Sequence, residues 1–204
     1  MKLRLSYFIR FLGALLVLCI TTSCQKESDR NGILAFINDE TRGLIKVREN
    51  GDYKIQIAYY PSDLMALREI ESAGFNGNPD SVLEELNDMF YLHLSFSIKN
   101  QELLNRFAYD ADLYQKVNRD FSFNMKDYIE IITSEKEVIP CMYAHAPLTF
   151  GMSKANTLLM CYSKELLEDA DWIRIRINDP GMGYGYQQVK INVEDIEELP
   201  RLKI

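Results

Sequence analysis

The sequence predicts a mainly β protein, an antiparallel β-sandwich with helical insertions. Apolar and polar residues alternate with a period of two in several segments, most regularly over 90–99, as half-buried strands require. Asn50-Gly51 lies between two such segments, and Asn-Gly in that context is the strongest short hairpin signal. About seven or eight strands separated by turn residues are typical of a sandwich.

The predicted strands follow one another along most of the chain. The first hairpin joins 44–48 to 53–60, where Pro61 ends the second strand. The other predicted strands cover 90–99, 128–133, 138–144, 156–162, 172–178 and 187–193.

Helices are predicted near 62–71, 81–89 and 101–118. Ser62 can cap the first helix, and Ser81 with Glu84 has the spacing of a capping box for the second. The third prediction depends on apolar residues that recur at helical spacing from Leu103 to Val117.

The half of the chain from Phe121 onward resembles an exported immunoglobulin-like module. It contains Tyr-Ile-Glu-Ile-Ile at 128–132, Leu-Leu-Met-Cys-Tyr at 158–162 and Trp-Ile-Arg-Ile-Arg-Ile at 172–177. The resemblance is one of strand pattern, and it implies an immunoglobulin-like sandwich.

The N-terminal segment has the pattern of a secretion signal. Lys2, Arg4 and Arg10 precede or begin an apolar run over 11–20, which is shorter than the roughly 20 residues that span a bilayer. The sequence Thr21-Thr22-Ser23-Cys24 follows and resembles the lipobox of bacterial lipoproteins. We therefore expect residues 1–23 to be a signal peptide and Cys24 to be lipidated.

The residues after Cys24 bear on location. Gln-Lys-Glu-Ser-Asp at 25–29 resembles the acidic export signal of surface lipoproteins of the Bacteroidota. This resemblance implies an outer-membrane lipoprotein at the cell surface rather than on the periplasmic face. Residues 24–32 are expected to be a flexible tether, and residues 33–204 a single domain.

Composition narrows the choice of partner. The chain has 23 basic and 30 acidic residues, a balance that argues against nucleic acid, whose phosphates require clustered Lys and Arg. A hydrophobic content of 47% is enough to bury a core. The expected partners are the membrane, through the lipid, and an unknown protein or glycan. No cofactor is predicted.

Cys141 and Cys161 remain after signal cleavage and lipidation. In an exported protein they can form a disulfide, if their strands pair about Gly151. The alternative is two buried free thiols that act as small apolar residues.

The segment 179–186 is a candidate partner-binding loop, with Asp179, Tyr184 and Tyr186 as its proposed contacts. Its three glycines allow unusual backbone conformations, and tyrosine gives large contact area at low entropy cost. In the alternative, both tyrosines pack onto the sheets. A phosphate-binding loop is disfavoured because a strand rather than a helix follows.

No catalytic residue and no metal site is predicted, since the sequence lacks the hydrolase and zinc-site motifs. The favoured function is a binding or structural accessory module of the outer membrane, and an enzyme is not favoured. The alternatives are a cell-surface hydrolase that uses carboxylates and a periplasmic inhibitor or immunity-type protein.

Overall fold

The computed structural model describes residues 27–167 and 169–203, and of Leu166 it describes the backbone only. The predicted signal peptide and Cys24 lie outside the described residues. The strands are β1 Glu27–Ser28, β2 Ile45–Asn50, β3 Tyr53–Tyr60, β4 Met89–Ile98, β5 Gln101–Glu102, β6 Ile129–Thr133, β7 Val138–Ile139, β8 Tyr143–His145, β9 Asn156–Ser163, β10 Trp172–Ile177, β11 Gln187–Asn192 and β12 Arg201–Leu202.

The described helices alternate with these strands. The α-helices are α1 Arg30–Asn38, α2 Ser62–Ile70, α3 Pro79–Asn87, α4 Ala111–Arg119 and α5 Val193–Glu197. Short 3-10 turns cover Glu40–Arg42, Leu103–Phe107, Met125–Asp127 and Glu165–Leu167, and a π-helical turn covers Asp120–Asn124.

Two antiparallel sheets form the body of the protein. The first has the order β2-β3-β4-β9-β8, with β5 also paired to β4, and the second has the order β11-β10-β6-β7. The prediction of antiparallel sheets is confirmed. The protein is nevertheless not mainly β, because strands and helices each account for about 34% of the described residues. The strand order also differs from the A-B-E-D and C-F-G sheets of immunoglobulin domains.

The alternation in sequence decides which face of each strand is buried. In β4 the residues Leu92, Leu94 and Phe96 are buried and share one face. In β10 the three isoleucines Ile173, Ile175 and Ile177 are buried in the same way. Both rows belong to a single hydrophobic core, so each sheet contributes one apolar face to a common interior.

The helix predictions agree with the structure at α2 and α3 and differ after β4. Lys99 and Asn100 both have positive φ, 51° and 60°, and this two-residue turn brings Gln101–Glu102 back to pair with β4. The single helix predicted over 101–118 is therefore a strand, a 3-10 turn and then α4, which Asp110 caps by accepting the Leu113 N–H.

The N-terminal residues also differ from the expected tether over 27–32. Ser28 pairs with Leu202 in a parallel two-stranded sheet. The Asp29 carboxylate accepts the Gly32 N–H and caps α1, whose Ile33 and Ile37 are fully buried. The chain is thus attached to the domain from residue 27 onward, although the polar composition of 24–32 favours a flexible tether.

Strand pairing defines one end of the protein, called here the loop end. It holds the turn between β2 and β3, the turn after β4 and the start of β9, because Tyr53 pairs with Ile98 and Phe96 with Asn156. The segment between β10 and β11 lies at the same end, since Asn50 Nδ2 donates to Tyr184 O at 3.1 Å.

The opposite end, called here the terminal end, holds β1 and β12. Arg42, just before β2, forms an ion pair with Glu198 at 3.9 Å, and the Val193 N–H donates to Asp171 O at 3.0 Å just before β10. The chain segment leading into β12 is therefore beside the starts of β2 and β10, away from the loop end. Glu27, the first residue that the structure describes, is paired with Arg201 and shares that position.

Phe96 packs where the two sheets and the helical turns meet. Its ring lies 5.6 Å from that of Phe121 and 5.4 Å from that of Tyr184. We expect Phe96→Ala to lower the free energy of unfolding by about 3–5 kcal/mol, as for buried Phe truncations generally. Phe123→Ala is the matched control, because Phe123 is 73% exposed. Chemical denaturation measures both, and equal losses would contradict the described core.

Candidate functional site

A buried carboxylate organises one side of the loop end. Glu102 is 2% exposed. Its Oε1 accepts the Ser153 N–H at 2.7 Å, and its Oε2 accepts the Gly151 N–H at 3.2 Å and Asn156 Nδ2 at 3.1 Å. A buried charge is tolerated only when it is well hydrogen-bonded, and here all three partners are donors.

Local structure explains why Glu102 reaches this position. The Lys99–Asn100 turn pairs Glu102 with Ser97 of β4, and Asn156 is the first residue of β9, opposite Phe96. The Asn156 side chain continues the network, because its Oδ1 accepts the Leu104 N–H at 2.9 Å. Glu102 and Asn156 together join two segments about fifty residues apart, 102–104 and 151–156.

The loop that Glu102 holds has an unusual backbone. Phe150 has φ 53° and Gly151 has φ 76°. An aromatic residue in the left-handed region is uncommon, and such strain persists only where the surroundings enforce it. Glu102 accepts the N–H of Gly151, the residue after Phe150, and the N–H of Ser153, and these two hydrogen bonds fix the backbone on the C-terminal side of Phe150.

This loop presents apolar side chains to solvent. Leu148, Phe150 and Met152 are 64%, 77% and 84% exposed. These three side chains are called here the apolar rim. Exposed apolar residues are ordinary when scattered, but a concentration of them marks an interaction site.

A cavity of about 250 Å³ lies beneath the rim. Glu102 and Asn156 are its most deeply buried polar lining residues. Its walls come from α4, the π-helical turn and the 146–150 segment, with Tyr114, Phe121, Leu148 and Phe150 as the large apolar members. The site therefore combines an apolar mouth with a single buried acid.

The predicted binding loop, 179–186, has a different organisation. The Asp179 carboxylate accepts four backbone N–H groups at 2.6–2.9 Å, those of Gly181, Met182, Gly183 and Gly185. Successive backbone N–H groups that converge in this way form an anion-binding nest. The anion is the loop's own side chain, so Asp179 shapes the loop rather than facing outward.

The two tyrosines of this loop have different surroundings. Tyr184 is 1% exposed, and its hydroxyl donates to Asn178 O at 3.1 Å. Burial, followed by the nearby Asp179 carboxylate, raises the pKa of Tyr184 above its ordinary value. Tyr184 therefore packs in the core, the alternative considered above, whereas Tyr186 is 54% exposed and remains open to a partner.

Glycine is required where this loop meets the first sheet. Gly183 has φ 91°, and a Cβ on it would lie 2.6 Å from the Tyr53 hydroxyl. The Arg106 guanidinium group lies over the ring of the same tyrosine, 5.5 Å from its centroid. The loop is thus docked closely onto the first sheet.

Cys161 is buried and Cys141 half-buried, and both carry free thiols in the structure. Tyr143, not Cys141, is the residue paired with Cys161. The Cys141 thiol instead donates to Tyr143 O at 3.1 Å. Burial raises the pKa of both thiols, which disfavours the reactive thiolate.

A second depression, at the terminal end, surrounds Trp172. Asp169, Asp171, Glu194 and Glu197 line it and are all exposed. Arg174 and Lys190 lie 4.9 and 5.0 Å from the Trp172 ring centroid. Two cationic side chains of the protein itself therefore already contact this ring. The arrangement resembles a solvated charged surface more than a site.

Among residues 27–167 and 169–203, no group of three or more His, Cys, Asp or Glu side chains is placed to hold a metal ion. Within the same part of the chain, no helix is long and apolar enough to cross a membrane.

Sequence reasoning missed Glu102, Asn156 and the rim. Glu102 was assigned to a helix, and its partners lie about fifty residues away, so no local pattern reveals it. The rim had a usable signal, because Pro-Leu-Thr-Phe-Gly-Met-Ser at 147–153 places three large apolar residues among turn formers.

Comparison with known proteins gives no relative: no family model, no curated protein and no solved structure matches this chain. The function must therefore be argued from the site itself.

The Asp179 nest predicts a large effect of a small change. Asp179→Asn turns an amide N–H₂ toward backbone donors that need an acceptor, so we expect a loss of about 3 kcal/mol in the free energy of unfolding. The exposed Asp169 gives the control, since Asp169→Asn removes the same charge with a change below about 0.5 kcal/mol. Equal effects in denaturant titrations would exclude the nest.

Proposed function

We propose that this protein is a lipid-anchored binding module of the outer membrane that engages a protein partner through the apolar rim at its loop end. The observation that carries this proposal is the concentration of exposed Leu148, Phe150 and Met152 on a loop whose backbone Glu102 fixes. Loops held by a rigid scaffold are the usual carriers of recognition.

The position of the N-terminus supports the proposed orientation. Glu27 lies at the terminal end, and only Gln25 and Lys26 separate it from Cys24. Three residue steps span at most about 11 Å, so a lipid on Cys24 would keep the terminal end close to the membrane. The loop end would then face away from the bilayer, where a partner has access.

The chemistry of the rim favours a protein over a glycan. Aromatic residues and methionine are enriched at protein interfaces, and they supply most of the binding energy when they enter a partner's pocket. The rim consists of Leu148, Phe150 and Met152, whose apolar side chains offer no hydrogen bonds to the hydroxyl groups of a glycan. Tyr186 is a further exposed aromatic residue at the same end.

We also propose that the two sheets act as a sandwich-type scaffold for these loops. Their apolar faces belong to one core, and Tyr59 and Phe90 of the first sheet line a cavity together with Ile173 of the second. Sheets that pack in this way place their connecting loops at the two ends. Helices α2 and α3 are insertions outside that arrangement.

The hydrolase alternative has less support. Glycoside hydrolysis uses two carboxylates that flank one bond, and among the described residues that line the Glu102 cavity there is one acid. An inhibitor or immunity-type protein would use the same rim to cap an enzyme, so the identity of the captured partner distinguishes that case.

Lipidation predicts a specific mature N-terminus. Mass spectrometry of the membrane fraction should find a peptide that begins at acylated Cys24. Cys24→Ser should release the protein from membranes, because it removes the residue that carries the acyl chains on which anchoring depends. Protease treatment of whole cells then tests surface exposure. An unmodified Cys24 within an intact precursor would contradict the anchor.

The rim predicts where capture fails. The triple variant Leu148→Ser, Phe150→Ser, Met152→Ser should reduce partner capture from native membranes at least tenfold, the effect of losing about 2 kcal/mol of hot-spot energy. Its melting temperature should stay nearly unchanged because all three side chains are exposed. Val138→Ser, an exposed apolar residue outside the rim, is the control. Undiminished capture by the triple variant would contradict the proposal.

A further inference from the structure

The cavity beneath the rim has an acidic floor without a basic neighbour on its walls. Glu102 is the only charged side chain among the described residues that line it. The hydrogen-bond donors to its carboxylate are uncharged N–H groups, those of Gly151, Ser153 and the Asn156 side chain. Hydrogen bonds hold the carboxylate in place, but no cation of the cavity wall balances its charge.

The carboxylate also has unused capacity. A carboxylate offers about four acceptor sites, and three are occupied, two on Oε2 and one on Oε1. Oε1 therefore has capacity for one further hydrogen bond. In a desolvated place, a cationic donor gains most from that site, because charge-assisted hydrogen bonds are about twice as strong as neutral ones.

The walls suit the apolar part of such a donor. The cavity lining includes three aromatic residues, Tyr114, Phe121 and Phe150, and the aliphatic Leu148. Aromatic faces attract cations. A volume of about 250 Å³ lies just below the roughly 300–1,000 Å³ of pockets for drug-sized ligands. The occupant is therefore small, of the size of one long side chain.

We propose that this cavity binds a primary ammonium or guanidinium group carried on a short apolar stem, with Glu102 as its counter-ion. The chemistry is that of a lysine or arginine side chain of a protein partner, or of a free alkylamine. The inference deepens the proposed function and rests on it for the partner, since Leu148 and Phe150 belong to both the cavity wall and the apolar rim.

The test uses the folded domain and small probes followed by NMR chemical shifts. n-Butylammonium should bind at least tenfold more tightly than 1-butanol, which has a similar stem without the charge, and butyrate should bind least of all. The shifts should centre on Gly151 and Ser153, whose N–H groups share the carboxylate. Equal binding of butylammonium and butanol, or no binding of either, would overturn the proposal.

Two variants separate recognition from folding. Glu102→Gln removes the charge, and Ala146→Phe fills the cavity while leaving the Glu102 hydrogen bonds in place; both should lose butylammonium binding at least tenfold. Asp112→Asn is the matched charge control, because Asp112 is an exposed residue of α4 outside the cavity and should bind as the wild type does. Wild-type affinity in Ala146→Phe would show that the amine binds elsewhere and overturn the site.

A peptide arm identifies the source of the cation. A short apolar peptide with one lysine is compared with the same peptide carrying N-acetyllysine, which lacks the charge. Lysine-dependent binding at least tenfold tighter than butylammonium assigns the cavity to a partner's side chain, and affinity no better than butylammonium assigns it to a free amine; both support the proposal. Amine binding without rim-dependent capture would contradict only the proposed function, and capture without amine binding only this inference.

Discussion

The loop end of this protein depends on one buried carboxylate. Glu102 accepts hydrogen bonds from the Gly151 and Ser153 N–H groups and from the Asn156 side chain, and Asn156 in turn binds the Leu104 N–H. These contacts fix the exposed 146–155 loop against β4, β9 and the 3-10 turn after β5. Removing one partner from a buried charged network is costly because the other groups cannot return to water. The loop, its rim and its cavity therefore form one unit.

The neighbouring loop repeats this device with its own carboxylate. Asp179 collects four backbone N–H groups, which the positive φ angles of Gly181, Gly183 and Gly185 allow. The loop then docks on the first sheet, where Asn50 donates to Tyr184 O. In both loops an acidic side chain of the protein itself accepts the backbone N–H groups and thereby fixes the shape of the loop.

Sequence patterns predicted the parts of the fold that depend on local periodicity. The alternation in β4 and β10 gave the correct strands and buried faces, because a period of two has one structural meaning over six or more residues. It failed between 101 and 118, where Leu103, Leu104 and Phe107 satisfy helical spacing although the Lys99–Asn100 turn forces a strand first. It also failed for Glu102, whose role depends on partners that the local sequence does not contain.

Amide hydrogen exchange measures the central interaction most directly. Gly151 and Ser153 lie on an exposed loop, yet their N–H groups bind Glu102, so we predict that both exchange slowly in the wild-type protein. In Glu102→Gln their protection should fall toward that of an open loop, while amides of the central strand β4 keep theirs. Exchange of both amides at unprotected rates in the wild type, or unchanged protection in the variant, would contradict the account.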